Sequence, residues 1–411
     1  MKAKIYLNLH YFSVFLFSIF PLLPNKVKGI PVIIFFLTTL YIFVKERKYN
    51  YPFKKVFFFS SLFLVLLISL LYTSNFIRID QPLSTRLSLI IVPISFGFLN
   101  ATDRKLDFKF LENFIKLIIF FHFVFCIWII FYLYQLGFYS SKMNLYVAIS
   151  YLTNEMWYIK QHPIYSSIFI SISILLTFFY VLKINKKNTY LIVMPLLITM
   201  LYVLLVLERK GVFLSLLISL ILTFCFFSKI SINSKLIKLI ILVIGVLTFF
   251  FTTTGRFKEL YNNKTYSVVN SNNSTSLRYA IYTCALKKIK EAPLFGFGIG
   301  DTQNELEKCY NKSSKALINK TYNSHNQYLS YFLSCGIIGF FLLLYIIIKT
   351  IFNAIKKKNM ILFSITIFFS ISMLFENILE RQSGVILFSF YICLFSFYNF
   401  SGTKTINVKN K

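Results

Sequence analysis

An all-α, polytopic bundle of transmembrane helices is predicted by three features of this 411-residue chain: 57% of its residues are hydrophobic, 19% are aromatic and only 14% are charged. The mean hydropathy of +0.69 agrees. No water-soluble core can enclose that much apolar surface, so a lipid bilayer must act as solvent. The 44 Lys and Arg outnumber the 14 Asp and Glu, but they fall in short clusters between apolar stretches. That is the loop charge of a membrane protein, not a stripe for nucleic acid.

Apolar runs near the roughly 20 residues needed to cross hydrocarbon place about twelve helices, at 5–23, 29–44, 56–73, 84–100, 111–136, 162–182, 189–206, 211–228, 236–252, 326–348, 359–378 and 382–400. The first run has a basic start and no small-x-small cleavage site, so it is expected to stay as a helix. Basic residues gather at both termini and in the even-numbered connections, as in KERK at 45–48, KINKK at 183–187 and Lys356–Lys358. Bases resist translocation, which predicts an inner-membrane protein with both termini in the cytoplasm. The chain then divides into nine helices over 1–252, a periplasmic loop at 253–322, three helices over 323–400 and a cytoplasmic tail at 401–411. A loop of that length exceeds a connector's needs and is the first place to seek function. The connection 137–160, with Tyr139, Tyr146, Tyr151, Trp157 and Tyr158, reads as an interfacial segment anchored by aromatics.

Inside the loop, NSTSLRYAIYTCALKKIKEAPLFGFGIGD (273–301) predicts a capped helix. Ser274 to Ser276 offer N-cap hydroxyls, Lys287, Lys288 and Lys290 suit the negative C-terminal end, and Pro293 and Gly296 stop it. Arg278 falls in the first turn, where a cation does not help its own helix; a phosphate is expected to hold it, in preference to a structural carboxylate. Gly296, Gly298 and Gly300 imply a backbone that turns tightly or approaches a ligand closely. They follow a helix and not a strand, which excludes a dinucleotide-binding fold. Cys284 and Cys309 share the loop and could pair if it lies in an oxidising compartment. Neither CxxC nor DxD nor an Asp/Glu cluster occurs, so no metal and no cofactor is expected.

Sorted by side, nearly all unusual polar residues fall at the outer ends of the spans. Arg86 opens span 4, His162 opens span 6, and Glu208, Arg209 and Lys210 form the turn before span 8. His325 opens span 10, and Glu376, Glu380 and Arg381 surround the last outer turn. A single Arg at such a place usually snorkels, and Glu208 or Glu380 could pair with Arg209. Several Arg and two His converging from five span ends point instead to a cationic cavity for an anionic headgroup. His325 is expected in the first turn of its helix, after an Asn323 or Ser324 cap, where the positive helix end disfavours a second proton. A neutral imidazole there could act as a general base, although a merely interfacial His reads the same way; such a base contributes roughly 100- to 10,000-fold in rate.

These residues carry a resemblance. ERKG at 208–211, Arg278 followed by PLFGFGIGD at 293–301, and SHNQYLSYFLSCGIIG at 324–339 are similar to the motifs of the O-antigen ligase and polymerase superfamily of bacterial envelope glycosyltransferases. QHPIY at 161–165 and LERQSG at 379–384 resemble versions from Bacteroidetes-type bacteria. The pattern departs where Lys210 separates Arg209 from Gly211, and that leaves open which base takes the main role. The resemblance implies a metal-independent, inverting GT-C enzyme that uses an undecaprenyl-pyrophosphate-linked glycan as donor. His325 would deprotonate the acceptor hydroxyl, and Arg209 and Arg278, with Lys210, Arg86 and Arg381 as further cations, would hold the pyrophosphate. His162, Glu208, Glu380, Asn326, Gly298 and Gly300 are the remaining site candidates. Lipid A-core is the expected acceptor; a repeat-unit polymerase, a protein O-oligosaccharyltransferase and a polysaccharide-lipid flippase are the alternatives.

Overall fold

A computed structural model describes residues 2–104, 106–140, 147, 151, 159, 161–184, 187–227, 269 and 273–398. The expected span at 236–252, residues 253–272 of the long loop except Val269, most of the 137–160 connection and the 401–411 tail lie outside the described residues. Among the described residues, seven helices are long and apolar enough to cross a membrane, four shorter apolar helices accompany them, and no strand is formed beyond an isolated bridge between Arg47 and Thr102. The chain is therefore an all-α, multi-pass membrane protein.

In chain order the helices are α1 (Lys2–Phe15), running into a 3-10 turn at Leu16–Leu22; α2 (Ile30–Glu46); α3 (Phe53–Ile68), continued by a 3-10 turn at Ser69–Tyr72; α4 (Asp80–Arg86) and α5 (Ser88–Asn100); and α6 (Phe108–Gln135). Then come α7 (Pro163–Ile184), α8 (Lys187–Val206), α9 (Lys210–Phe227), the lobe helices α10 (Ser274–Glu291) and α11 (Thr302–Ser313), and finally α12 (Gln327–Lys356), α13 (Met360–Ser372) and α14 (Gln382–Phe397). Local chemistry sets several starts. The Asp107 carboxylate accepts the Phe110 N–H at 2.7 Å to open α6, and Pro163 occupies the first position of α7, where no N–H is needed.

Burial ranks the helices. Every residue of α14 from Ser383 to Phe395 is buried, as expected of a helix apolar all round; it packs against α5 and α13. Around this centre, α9 lies on α13, and α12 lies on α3 and α13. In α7 the small buried residues Ser166, Ser167, Ser171 and Ser173 let neighbouring helices approach closely.

Two boundaries differ from the expected ones, and both shape the site. Span 11 was expected over 359–378, but α13 ends at Ser372 and residues 373–381 form a polar turn around a 3-10 piece at Ile378–Glu380. Arg86 does not open its span; the helix begins earlier, at Asp80, and Arg86 lies at the junction where α4 runs through Leu87 into α5. Sequence hydropathy averages over such breaks and cannot see them.

The long helix α12 is itself broken at Gly336, whose φ of 64° and ψ of −159° are not helical. A broken helix within a bilayer must find other partners for its freed backbone groups. The PLFGFG turn supplies them: the N–H groups of Phe297 and Gly298 donate to the carbonyls of Leu333 and Ser334 at 2.7 and 3.0 Å, and the Ile337 N–H donates to the Pro293 carbonyl at 3.0 Å. Glycine is required at the break, because a Cβ on Gly336 would lie 2.1 Å from the Leu294 carbonyl oxygen. α10 and α11 form a small lobe above this joint, with Ile281, Ala285, Leu306 and Tyr310 in its own core and Leu333 of α12 closing it. A disulfide between Cys284 and Cys309 staples the two lobe helices, so the pairing left open by the sequence is present.

Candidate functional site

The 373–381 turn is sewn to the start of α12. The Gln327 N–H donates to the Met373 carbonyl at 2.8 Å, the Leu379 N–H donates to Gln327 Oε1 at 2.6 Å, and the hydroxyl of Ser324 donates to Asn377 Oδ1 at 3.2 Å. α12 begins at Gln327 with Asn326 as its N-cap; the Asn326 side chain accepts the N–H groups of Tyr328 and Leu329. His325 therefore precedes the helix instead of lying in its first turn, and Asn326, not Asn323 or Ser324, is the cap. The His325 backbone has φ of 46°, a left-handed conformation that is uncommon outside glycine and clusters at functional sites. Two contacts hold it there: its N–H donates to Asn323 Oδ1 at 3.2 Å, and the Tyr282 hydroxyl reaches the carbonyls of both His325 and Leu374 at 3.1 Å.

Glu376 joins the lobe to this segment. One carboxylate oxygen pairs with the Arg278 guanidinium, and the other lies 3.3 Å from His325 Nδ1. A carboxylate only accepts hydrogen bonds, so Nδ1 carries the proton in this contact and Nε2 keeps its lone pair. Burial opposes the charge on Glu376, whose side chain is only 13% exposed, but the hydrogen bond from His325 and the charge of Arg278 prevail and hold its carboxyl below the usual range. Of the two partners weighed for Arg278, phosphate and a structural carboxylate, the structure places a carboxylate beside it, reached from α10, whose own cap is Asn273 and not the serines that follow.

A second acid, Glu380, sits four residues on. It accepts from the hydroxyl of Ser330 and from Asn323 Nδ2 at 3.1 Å, and it lies 3.5 Å from Arg86 Nη2. Arg86 is buried and also donates from Nε to the Leu379 carbonyl at 3.0 Å. Its geometry braces the turn from below and leaves it less open to a ligand than the sequence suggested.

The α8–α9 turn approaches from the other side. Glu208 has φ of 51°, Lys210 opens α9, and Gly211 lies so close to Phe375 that a Cβ would meet its Cβ at 2.6 Å. That contact brings Arg209 to the Glu376 turn. The charges of Arg209, Glu376, Arg381 and His325 all act on His162, which precedes α7. His162 keeps exposed surface, yet burial by the protein packed around it, reinforced by Arg209, lowers its pKa to about 4. Arg381 is exposed at the N-cap of α14. His325, Arg278, Arg209, His162 and Arg381 thus gather around Glu376.

Gly298 and Gly300 do not. A Cβ on Gly298 would meet Thr73 Oγ1 at 2.1 Å, and one on Gly300 would meet the Asn75 carbonyl oxygen at 2.3 Å; the glycines admit another stretch of this chain, not a ligand. Among the described residues no group of three or more His, Cys, Asp or Glu is arranged to hold a metal ion.

Tyr282 and Lys28 are residues that sequence reasoning passed over, and Glu376, placed there at the last outer turn, was given no role in the site. The acid in FENILERQ was visible, but nothing in the sequence links position 376 to position 278. Lys28 is fully buried between the rings of Phe20 and Phe169, at 5.5 and 5.2 Å. Its ammonium donates to Asn25 Oδ1 at 2.9 Å, to Gln161 Oε1 and to Ser383 Oγ at 3.3 Å, tying together the segments that carry His162 and Arg381.

The helices and the site define a class: a multi-pass membrane protein in which an extramembrane lobe lowers an arginine onto a carboxylate and a histidine at the span ends. Residues 195–344, which hold the 208–211 turn, Arg278, the glycine turn and His325, match the family model described as O-antigen ligase, and this match supports membership of the O-antigen ligase superfamily. An uncharacterised protein of Haemophilus influenzae is 35% identical to this chain over 145 residues, covering 33% of this chain and 36% of the relative. The chain thus spans about a third of that relative's length.

Proposed function

We propose that this protein is a glycosyltransferase that moves a glycan from undecaprenyl pyrophosphate to an acceptor hydroxyl at the periplasmic face of the bacterial inner membrane, with lipid A-core as the acceptor. The observation that carries the reading is the Glu376 bridge, which sets an imidazole and a guanidinium side by side. His325 Nε2 removes the acceptor proton as the acceptor oxygen attacks the anomeric carbon. The bond from that carbon to the pyrophosphate oxygen breaks with inversion, and polyprenyl pyrophosphate leaves with the electron pair. Arg209, with Lys210 and Arg381 beside it, balances the charge that develops on the leaving group, and Arg278 contributes from its bridge to Glu376. Guanidinium groups suit this task because they form bidentate, charge-assisted bonds to phosphate, so no metal ion is invoked. Glu376 is a positioning residue that fixes the tautomer and orientation of His325. The Cys284–Cys309 disulfide supports placing the lobe in an oxidising compartment, outside the cytoplasm.

The family match supports this chemistry at the level of ligase or polymerase type. The test is transfer in vitro by purified protein, with a defined undecaprenyl-pyrophosphate glycan, EDTA, and either lipid A-core or a second lipid-linked repeat as acceptor. Product on lipid A-core supports ligation, whereas elongated lipid-linked product replaces it with polymerisation. His325→Ala is expected to lower the rate by about 100-fold or more. A parental rate in that variant would refute the role of the histidine.

A further inference from the structure

The helix α3 with its 3-10 turn covers Phe53–Tyr72, a predominantly apolar segment of 20 residues that at about 1.5 Å each spans the roughly 30 Å of a hydrocarbon core. Lys54 and Lys55 lie in its first turn, so Tyr72 and the residues after it come out at the opposite interface, where tyrosine is favoured. At that level the lobe is bolted to the chain. The Asp301 carboxylate accepts the N–H groups of Ser74 and Asn75 at 2.5 and 3.1 Å, and the Ile299 N–H donates to Ser69 Oγ at 3.2 Å. The close approach of Gly298 and Gly300 to Thr73 and Asn75, described above, makes this docking possible.

The bolt brings large apolar side chains from two distant segments onto one surface. Leu71, Phe76 and Ile77 are 86, 65 and 94% exposed, and Leu294 and Phe295 are 63 and 60% exposed; the rings of Tyr72 and Phe295 lie 6.3 Å apart. Such a patch has no reason to face water, and its height at the end of a span names the occupant. We propose that Leu294 and Phe295, with Leu71, Phe76 and Ile77, dip into the bilayer interface, so that the lobe rests on phospholipid acyl chains near the headgroups. The backbone of the dipping turn tolerates this because its groups bond into the break of α12. The proposal follows from the spans alone and does not depend on glycosyl transfer.

The test uses the full-length protein in phosphatidylethanolamine and phosphatidylglycerol vesicles, with the chain's two tryptophans replaced in a Trp128→Phe, Trp157→Phe background. Phe295→Trp, and independently Leu294→Trp in case the first variant fails to fold, report the patch; Lys312→Trp at the exposed end of α11 reports water. Lipid brominated near the top of the acyl chain is expected to quench the patch tryptophans about twofold more than Lys312→Trp, with aqueous iodide giving the reverse order. Iodide quenching equal to that of Lys312→Trp, with no response to bromine, overturns the proposal. Resistance to both quenchers also overturns it, since protein, such as a second copy, would then cover the patch.

Discussion

Replacing Glu376 by Gln removes one negative charge and little else. The carboxylate binds Arg278 through one oxygen and His325 through the other, and the isosteric amide offers only one acceptor. One charge-assisted bond is lost, worth about 1.5–3 kcal/mol; if it serves the transition state, kcat should fall by about 10- to 160-fold, at a factor of ten per 1.36 kcal/mol. The loss should appear in kcat more than in KM, because the lost contact orients the base and does not itself touch the substrate. Because the native pKa of Glu376 is depressed, its ionic contribution to stability is complete above the ordinary value near 4.5 and disappears as pH falls through the lower native value. Glu376→Gln should remove that acid-side slope. The assay is transfer in vitro across a pH series, alongside thermal unfolding. A kcat within about twofold of the parent, a change too small to represent even one lost hydrogen bond, would refute the coupling of Glu376 to His325.

Three other perturbations probe the surrounding structure. Lys28→Met strips the donor from Gln161 and Asn25 and should lower stability by about 1–3 kcal/mol, with part of the loss recovered when Gln161→Leu is added; equal unfolding temperatures for parent and Lys28→Met would contradict this. The Cys284–Cys309 bond closes a sequence separation of 25, so Cys284→Ser with Cys309→Ser should destabilise the lobe by up to about 3.5 kcal/mol on the loop-entropy estimate, read as faster proteolysis of 273–322 while the spans survive; unchanged proteolysis would argue against a structural staple. His162 titrates near 4 in the folded protein against 6.5 ordinarily, so the unfolded chain binds the extra proton between those values. Stability should rise with pH across that window, and His162→Gln should flatten the rise; an unaltered slope would show that another group is responsible.

Much of the fold was legible because hydrophobic runs of spanning length have few other uses in a chain this apolar. Eleven of the twelve expected spans coincide with described helices, within a few residues at most ends. The exceptions are where local chemistry breaks a continuous apolar run: past Ser372 the chain leaves α13 and is held at the start of α12, where Gln327 takes the Met373 carbonyl and the Leu379 N–H and Asn377 bonds Ser324, and α12 breaks at a glycine whose conformation only tertiary packing requires. The candidate site was legible as a set of charges on one side, since each could be assigned to a span end. Its wiring was not. Arg278 and Glu376 are 98 residues apart, and no periodicity relates them; the same holds for Lys28 and Gln161, 133 residues apart. Asn326 and the alternate glycines were visible, but their work of capping a helix and admitting a neighbouring backbone is defined by what lies opposite them.

The joint at Gly336 bears on how the protein is made. The Leu333 carbonyl in α12 receives its hydrogen from Phe297, which leaves the ribosome first. Until the glycine turn is seated, the segment that ends in the joint carries a polar oxygen that hydrocarbon cannot satisfy, and once seated the turn cannot leave without exposing it again. Seating the glycine turn is therefore part of completing α12, so a chain whose turn never seats should present itself to quality-control proteases as an incompletely inserted helix.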